Sequence, residues 1–413
     1  MAIRALPLPR FDHLTYRGNS KHTRYGWLRL TPAFSIHLIL DLIQALPANA
    51  RVLDPFCGTG TTALVCAEEG IDSDTTDINP FLLWLGAAKC RQYSAKELAE
   101  AHGVAHEVVA ALRSTNGTKP WLPPLFQIEK WWDGPLLDKI AKVRAVIGER
   151  SGELSDNASN LLKVAFCRTM IETANVSFGH QSMSFKKVSD QMTFAVPSDV
   201  AETVIANWQA ATLSIFNAAE TSIASQPNFI YCDARNLREK FESESFDCVI
   251  TSPPYPNRMS YIRELRPYMY WLGYLEDAKK AGEMDWEAIG GTWGCATSNL
   301  TKWEHPADIK VPYEQFPEIL SDIAKQSSLL SRYVEKYFCD MVVHVRNLFE
   351  VVNTGGAVHY VVGNSKFYDV LLPVEEIFAA LFRATGFRDV RVEPIRKRSS
   401  KKELFEYLVS ARK

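Results

Sequence analysis

The chain has 413 residues, 46% of them apolar, and its 46 basic residues nearly balance 48 acidic ones for a formal net charge of −2. Such a length buries a large core, in one elaborated domain or in two to three smaller ones. No run of roughly eighteen apolar residues occurs, which excludes a membrane-spanning helix, and Met1–Pro7 lacks the apolar stretch of a secretory signal.

In chain order, the first block is Thr31-Pro32-Ala33-Phe34-Ser35, followed by an apolar helix-like stretch. Arg51-Val52-Leu53 suits a short buried strand ending in Asp54, and Pro55-Phe56-Cys57-Gly58-Thr59-Gly60 is a turn from which a helix opens at about Thr61. The glycines let backbone come close to a ligand. No lysine follows Gly60, so this is not a Walker-type phosphate loop, and the third glycine of the dinucleotide fingerprint is missing. An acid ahead of the turn suits a ligand with a positive ammonium. A second strand-like segment ends at Asp77 in Thr75-Thr76-Asp77-Ile78-Asn79-Pro80, where a carboxylate can accept from both hydroxyls of a ribose. A nucleoside carrying an amino acid fits both acids.

From Cys90 to Gln226 the pattern turns mostly helical. Ser94-x-x-Glu97 is a capping-box signal, Leu98, Ala105, Val108, Val109 and Leu112 recur at helical spacing, and Asn160–Thr173 and Ser198–Ser222 read as helices. Within this stretch Val176–Lys187 is polar, basic and aromatic at once. A third strand leads to Asp233 in Tyr231-Cys232-Asp233-Ala234-Arg235, and a fourth, Asp247–Thr251, runs into Ser252-Pro253-Pro254-Tyr255. Arg258, Tyr261, Arg263 and Arg266 follow, the last three on a helix-like stretch from Met259 to Leu275. Glu276–Gln326 is a second surplus stretch whose Ile289-Gly290-Gly291-Thr292-Trp293-Gly294 reads as a mobile segment near the site. A long helix after about residue 340, a strand at Ala357–Gly363, a helix from about Val374 and strands around Phe387–Val392 and Leu404–Ser410 close the chain. Arg396-Lys397-Arg398-Ser399-Ser400-Lys401-Lys402 is either a solvated turn between two edge strands or a set of phosphate contacts.

The segment Thr31–Pro80 together with the Ser-Pro-Pro-Tyr tetrad resembles the conserved blocks of the S-adenosylmethionine-dependent DNA amino-methyltransferases, most of all the cytosine-N4 members. The resemblance implies an α/β fold: a doubly wound, seven-stranded Rossmann-like methyltransferase sheet with one antiparallel strand, the seventh, plus a mainly helical insert. It implies S-adenosyl-L-methionine as cofactor. Thr31, Phe34 and Ser35 would close the pocket; Asp54, Phe56, Gly58 and Gly60 would contact the methionine part, with Pro55, Cys57 and Thr61 in the same turn. Asp77 would hold the ribose, Ile78 would pack on the adenine, and Asp233 beside Ala234 would bond the adenine amino group. No metal is implied.

The catalytic residues implied are Ser252, Pro253, Pro254 and Tyr255. An exocyclic base amine is a poor nucleophile because its lone pair is delocalised into the ring, so acceptors aimed at its N–H bonds favour the pyramidal form that attacks. On the family pattern these are the Ser252 hydroxyl and the Pro253 carbonyl, with the prolines stiffening the turn, and Tyr255 offers a face for an extruded base. Ser252 in place of Asp favours cytosine N4, whereas the order of the blocks, cofactor before catalytic, is shared by many adenine-N6 enzymes. An RNA guanine-N2 methyltransferase carries a similar turn and is a further alternative; an inactive cofactor-binding DNA module is the third.

Double-stranded DNA is the expected partner, with a cognate restriction endonuclease possible. A net charge of −2 does not oppose this, since binding follows a local basic stripe. Candidate contacts are Arg258, Tyr261, Arg263, His180, Lys186, Lys187, Arg396, Lys397 and Arg398. The eight cysteines form no Cys-x-x-Cys pair and read as buried reduced thiols of a cytoplasmic protein. The expected organisation is a cofactor-binding half (1–90), a mainly helical insert and candidate target-recognition region (91–225), a catalytic-motif segment (226–275), a second insert (276–339) and the closing part of the catalytic domain (340–413).

Overall fold

In a computed structural model, the structure describes residues 19, 24–28, 30, 34–47, 49–114, 120–177, 184–186, 200–291, 295–398 and 403–413. The strands are β1 (Arg51–Asp54), the polar, Thr-containing β2 (Asp72–Asp77), β3 (Asn228–Tyr231), β4 (Phe246–Thr251) and β5 (Val352–Gly363), and a hairpin supplies β6 (Arg388–Lys397) and β7 (Phe405–Arg412). They form one sheet in the order β6-β7-β5-β4-β1-β2-β3. All neighbours are parallel except β7, which runs against both β5 and β6. This is the expected seven-stranded, doubly wound sheet with one antiparallel strand. A hairpin from β6 delivers β7 reversed.

Side chains alternate between the two faces of the central strands. Val52, Cys248, Ile250 and Ala357 face α1 (Ile36–Ile43) and α2 (Thr61–Glu69), whereas Leu53, Val249 and Val358 face the opposite layer. That layer holds the long helix Ser328–Val351 and the helix Val374–Thr385. Beyond α3 (Pro80–Lys89), four helices make up the expected helical stretch: α4 (Ala95–Arg113), α5 (Gly134–Arg150), α6 (Asp156–Glu172) and α7 (Val200–Ala219). The capping box of Ser94 and Glu97 is formed at the start of α4, and Asp133 and Ser155 cap α5 and α6. Their core surrounds Trp132, Trp208 and Phe166 and admits Trp271 from α8 (Tyr261–Trp271), which begins just after the Ser-Pro-Pro-Tyr tetrad. α8 thus joins the tetrad to the helical layer.

The remaining α-helices among the described residues are α9 (Ala278–Glu287), α10 (Cys295–Lys302), α11 (Phe316–Ala324), α12 (Ser328–Val351) and α13 (Val374–Thr385). In the stretch expected to be mobile, Ile289 is buried and Gly290 stands 3.5 Å, counted from an added Cβ, from the Tyr337 ring; 292–294 lie outside the described residues. Cys57, Cys66, Cys90, Cys167, Cys232, Cys248 and Cys339 are buried and free. No described helix is long and apolar enough to cross a membrane.

The chain leaves β1 for β2 and β3 on one side, then returns to place β4 on the other. That reversal opens a crevice at the carboxyl ends of β1 and β4, where open α/β sheets bind ligands. Asp54, Asp77, Asp233 and Ser252 all lie at or just past carboxyl strand ends.

Candidate active site

Asp54 ends β1 with its carboxylate almost wholly buried. It accepts from Phe56 N at 3.1 Å and from Thr251 Oγ1 at 2.6 Å, which ties β1 to the strand carrying the tetrad. Burial pushes its pKa up to about 7. Asp77 ends β2, half-buried, and accepts from Asn79 N at 2.8 Å and from Gly58 N at 3.3 Å, so it also pins the glycine turn; burial raises it to about 6. Neither acid forms an ion pair among the described residues. Gly60 has φ +73°, and a Cβ there would stand 2.9 Å from Gly86 Cα, so only glycine lets the turn settle on α3. From below, the buried Lys89 donates to Thr59 O at 3.0 Å, and burial lowers it to about 8.

Pro55, Cys57 and Thr61 are buried in the same turn, and Ile78 is half-buried beyond Asp77. Phe34 is half-buried and Ser35 buried at the start of α1, where Asn19 bridges Phe34 O and Ile36 N. Thr31 lies outside the described residues. Asp233 caps the turn after β3, its carboxylate gripped by Arg235 at 2.6 Å, and this bonding holds the carboxyl below the usual range despite burial. Ala234 is buried, and its carbonyl lies 2.8 Å from Nδ1 of His344. That ring also packs edge-on against Phe56, with centroids 4.9 Å apart.

In the tetrad, Ser252 Oγ donates to Val361 O at 3.0 Å and lies 3.4 Å from the Tyr255 hydroxyl. Pro253 is buried, and no hydrogen bond reaches its carbonyl among the described residues. The Pro254 carbonyl accepts from Tyr337 OH at 2.7 Å. Tyr255 rests against Gly363, whose added Cβ would lie 2.9 Å from the ring, and the Arg398 guanidinium covers the ring at 5.0 Å. Arg258 then takes φ +64°, a left-handed conformation rare for a side-chain-bearing residue, and turns the chain into α8.

No family model matches the chain. It is 22% identical to the Type II methyltransferase M.BsoBI of Geobacillus stearothermophilus, over 93% of this chain and 82% of that protein. To the Type II methyltransferase M.AvaI of a Nostoc species it is 22% identical over 95% and 85%, and to M.MvaI of Kocuria varians 20% identical over 82% and 76%. The chain is a relative of these methyltransferases. Among solved structures, an rRNA methyltransferase, aviRa of Streptomyces viridochromogenes, covers 92% of this chain and 86% of its own at 11% identity with a TM-score of 0.28, too slight a likeness to carry an argument.

The methyltransferase uses S-adenosyl-L-methionine, and the pocket suits it. Two desolvated carboxylates with no cationic partner among the described residues, Asp54 and Asp77, stand at adjacent strand ends beside a turn that admits no Cβ at Gly60. A ligand bearing ammonium and sulfonium charges and a ribose diol supplies what they lack. Thr251, Lys89, Tyr337 and His344 escaped the sequence reading. Only Thr251, one residue before Ser252, had a signal there; the others come from helices whose partners lie 30 to 110 residues away.

The candidate nucleic-acid contacts divide. Arg258, Arg263 and Lys186 are exposed, whereas Tyr261 is half-buried with its hydroxyl 3.5 Å from Tyr255 N. Arg396 is committed to Glu406 by two bonds of 2.6 and 2.8 Å, and Arg398 to Tyr255 and to Asn364 O at 2.9 Å. The described part of the basic run is therefore hairpin structure, with Lys397 half-buried. His180 and Lys187 lie outside the described residues.

Proposed function

We propose that this methyltransferase acts on double-stranded DNA and transfers its methyl group to the exocyclic N4 of cytosine, extruding the base from the duplex. The observation that carries this reading is the state of the two acceptors. Ser252 spends its single proton on Val361 O, which leaves hydroxyl lone pairs to receive an amine N–H, and the Pro253 carbonyl beside it has no partner among the described residues. Bound S-adenosyl-L-methionine supplies an activated sulfonium methyl, so alignment is what remains for the protein. Two acceptors on one amine hold it pyramidal, and the face of Tyr255 opposite Arg398 offers a platform for the base. The exposed Arg258, Arg263 and Lys186 would meet phosphates, and the helical stretch with the strand pair Val176–Ser177 and Ser184–Phe185 would recognise the target. The Type II relatives support a cognate endonuclease and a cytoplasmic setting as further parts of the reading.

The test is product identity. The protein is incubated with labelled cofactor and either DNA or tRNA, the polymer is digested, and the methylated nucleoside is identified by mass. N4-methylcytosine in DNA is expected. N6-methyladenine would keep the site and change the base, and labelled guanosine from tRNA would overturn the DNA reading.

A further inference from the structure

α12 packs on one face of the sheet and carries four polar side chains on one helix face, Tyr333, Tyr337, Asp340 and His344, spaced by four, three and four residues. Each reaches a different part of the site. Tyr333 OH donates to Gly290 O at 3.4 Å, and Tyr337 OH donates to Pro254 O at 2.7 Å. Asp340 accepts from Arg235 at 2.9 Å, the same arginine that grips Asp233. His344 lies between Ala234 O at 2.8 Å and Tyr360 OH at 2.6 Å. A carbonyl only accepts, so Nδ1 carries the proton; in the neutral ring Nε2 must then accept from the Tyr360 hydroxyl. Burial keeps that ring neutral by lowering its pKa to about 4.

Buried tyrosine and histidine groups need partners for stability alone. These two partners are particular, however. Pro254 O is one peptide beyond the acceptor Pro253, and Ala234 O is one peptide beyond Asp233. Fixing either carbonyl restrains the peptide behind it, because each peptide unit is planar and only two soft dihedrals separate neighbours. We propose that Tyr337 and His344 are positioning residues that set the two halves of the site from one rigid helix: Tyr337 aims the Pro253 acceptor, and His344 holds the Asp233 turn against the cofactor. The Tyr337 half rests on the proposed role of the tetrad; the His344 half rests only on cofactor binding.

The experiment compares Tyr337→Phe, His344→Leu and His344→Asn, each checked for melting temperature. Tyr337→Phe keeps the ring that packs against Gly290 and removes one donor. Turnover on DNA should fall about tenfold or more, with affinity for S-adenosyl-L-homocysteine by calorimetry within about twofold of the wild type. His344→Leu should weaken that affinity about tenfold, and His344→Asn, whose amide can still donate to Ala234 O, should restore part of it. Wild-type turnover in Tyr337→Phe, wild-type affinity in His344→Leu, or loss of turnover and affinity in equal proportion in both would overturn the proposal. Should the wild type transfer no methyl to DNA, the substrate reading fails, and the His344 pair, read without any substrate, decides the proposal.

Discussion

Around β1 and β2 each acid of the site is held by a backbone N–H two residues on, Asp54 by Phe56 N and Asp77 by Asn79 N, to which Thr251 Oγ1 and Gly58 N add bonds from further away in the chain. Around β4 the same task falls to distant groups. Ser252 is fixed by Val361, Pro254 by Tyr337, and the Tyr255 ring by Arg398. A binding turn can therefore be encoded as a short motif that carries part of its own support. On the proposed role of the tetrad, a loop that must aim lone pairs at an amine depends on the closed fold, because prolines remove the local donors that would otherwise set it.

The sharpest way to break this contrast is to remove the acceptor. Ser252→Ala should cost about 2.7–4 kcal/mol of transition-state stabilisation, seen in kcat, and leave cofactor affinity nearly untouched. Steady-state methylation and calorimetry on the same preparation check it. Near-normal turnover would remove Ser252 from the chemistry and with it the catalytic side of the comparison. Asp77→Ala should show the converse, a loss of about 1.5–3 kcal/mol in cofactor binding. Wild-type affinity in that variant would take Asp77 out of the pocket.

The same contrast explains what the sequence made legible. The Gly-x-Gly turn, Asp77 and the tetrad are contiguous motifs, so the resemblance they carry implies the sheet, and the carboxyl-edge site accords with the rule for open α/β sheets. The supports of the tetrad carry no such mark. Tyr337 and His344 lie on a helix whose apolar periodicity accounts for it without them. The run at Arg396–Lys402 shows the same limit: five charges in sequence look like a solvated or phosphate-seeking stretch, and nothing local announces that Glu406 sits across the hairpin from Arg396.

A smaller effect sharpens the cofactor side. Burial raises Asp54 to about 7 and Asp77 to about 6, so between roughly pH 4 and 7 the folded protein without ligand holds protons that ordinary unfolded carboxylates have released. Stability from these groups is therefore greatest at the acidic end and is lost as pH rises through their folded values. A cationic ligand favours the charged carboxylates and reverses the preference. Cofactor affinity should rise between about pH 5.5 and 8 with net proton release, by at most about tenfold per unit of pH for each group. Calorimetry in buffers of different ionisation enthalpy measures the protons directly. Asp54→Asn should abolish most of the release near pH 7, and a release that persists unchanged would place the coupled proton elsewhere.

The smallest expected effect separates charges that face solvent from charges the fold has already used. Arg263 and Lys186 are exposed, so the double variant Arg263→Ala with Lys186→Ala should lower the slope of log affinity against log salt by about 0.9 for each phosphate that is no longer neutralised. Arg396 carries the same formal charge in a far more basic neighbourhood, yet Glu406 takes its guanidinium in two short bonds and both side chains are largely enclosed. Pairing of that kind neutralises the field a phosphate would feel, and releasing the guanidinium would strand a shielded carboxylate. Arg396→Ala should therefore leave the salt slope where it was and lower the melting temperature, because the hairpin that holds Arg398 over Tyr255 loses its cross-strand tie. Fluorescence anisotropy with a duplex across a salt series, alongside thermal melts, distinguishes the two behaviours. A reduced slope in Arg396→Ala at unchanged melting temperature would return the basic run to the nucleic-acid surface and show that the ion pair opens when DNA arrives.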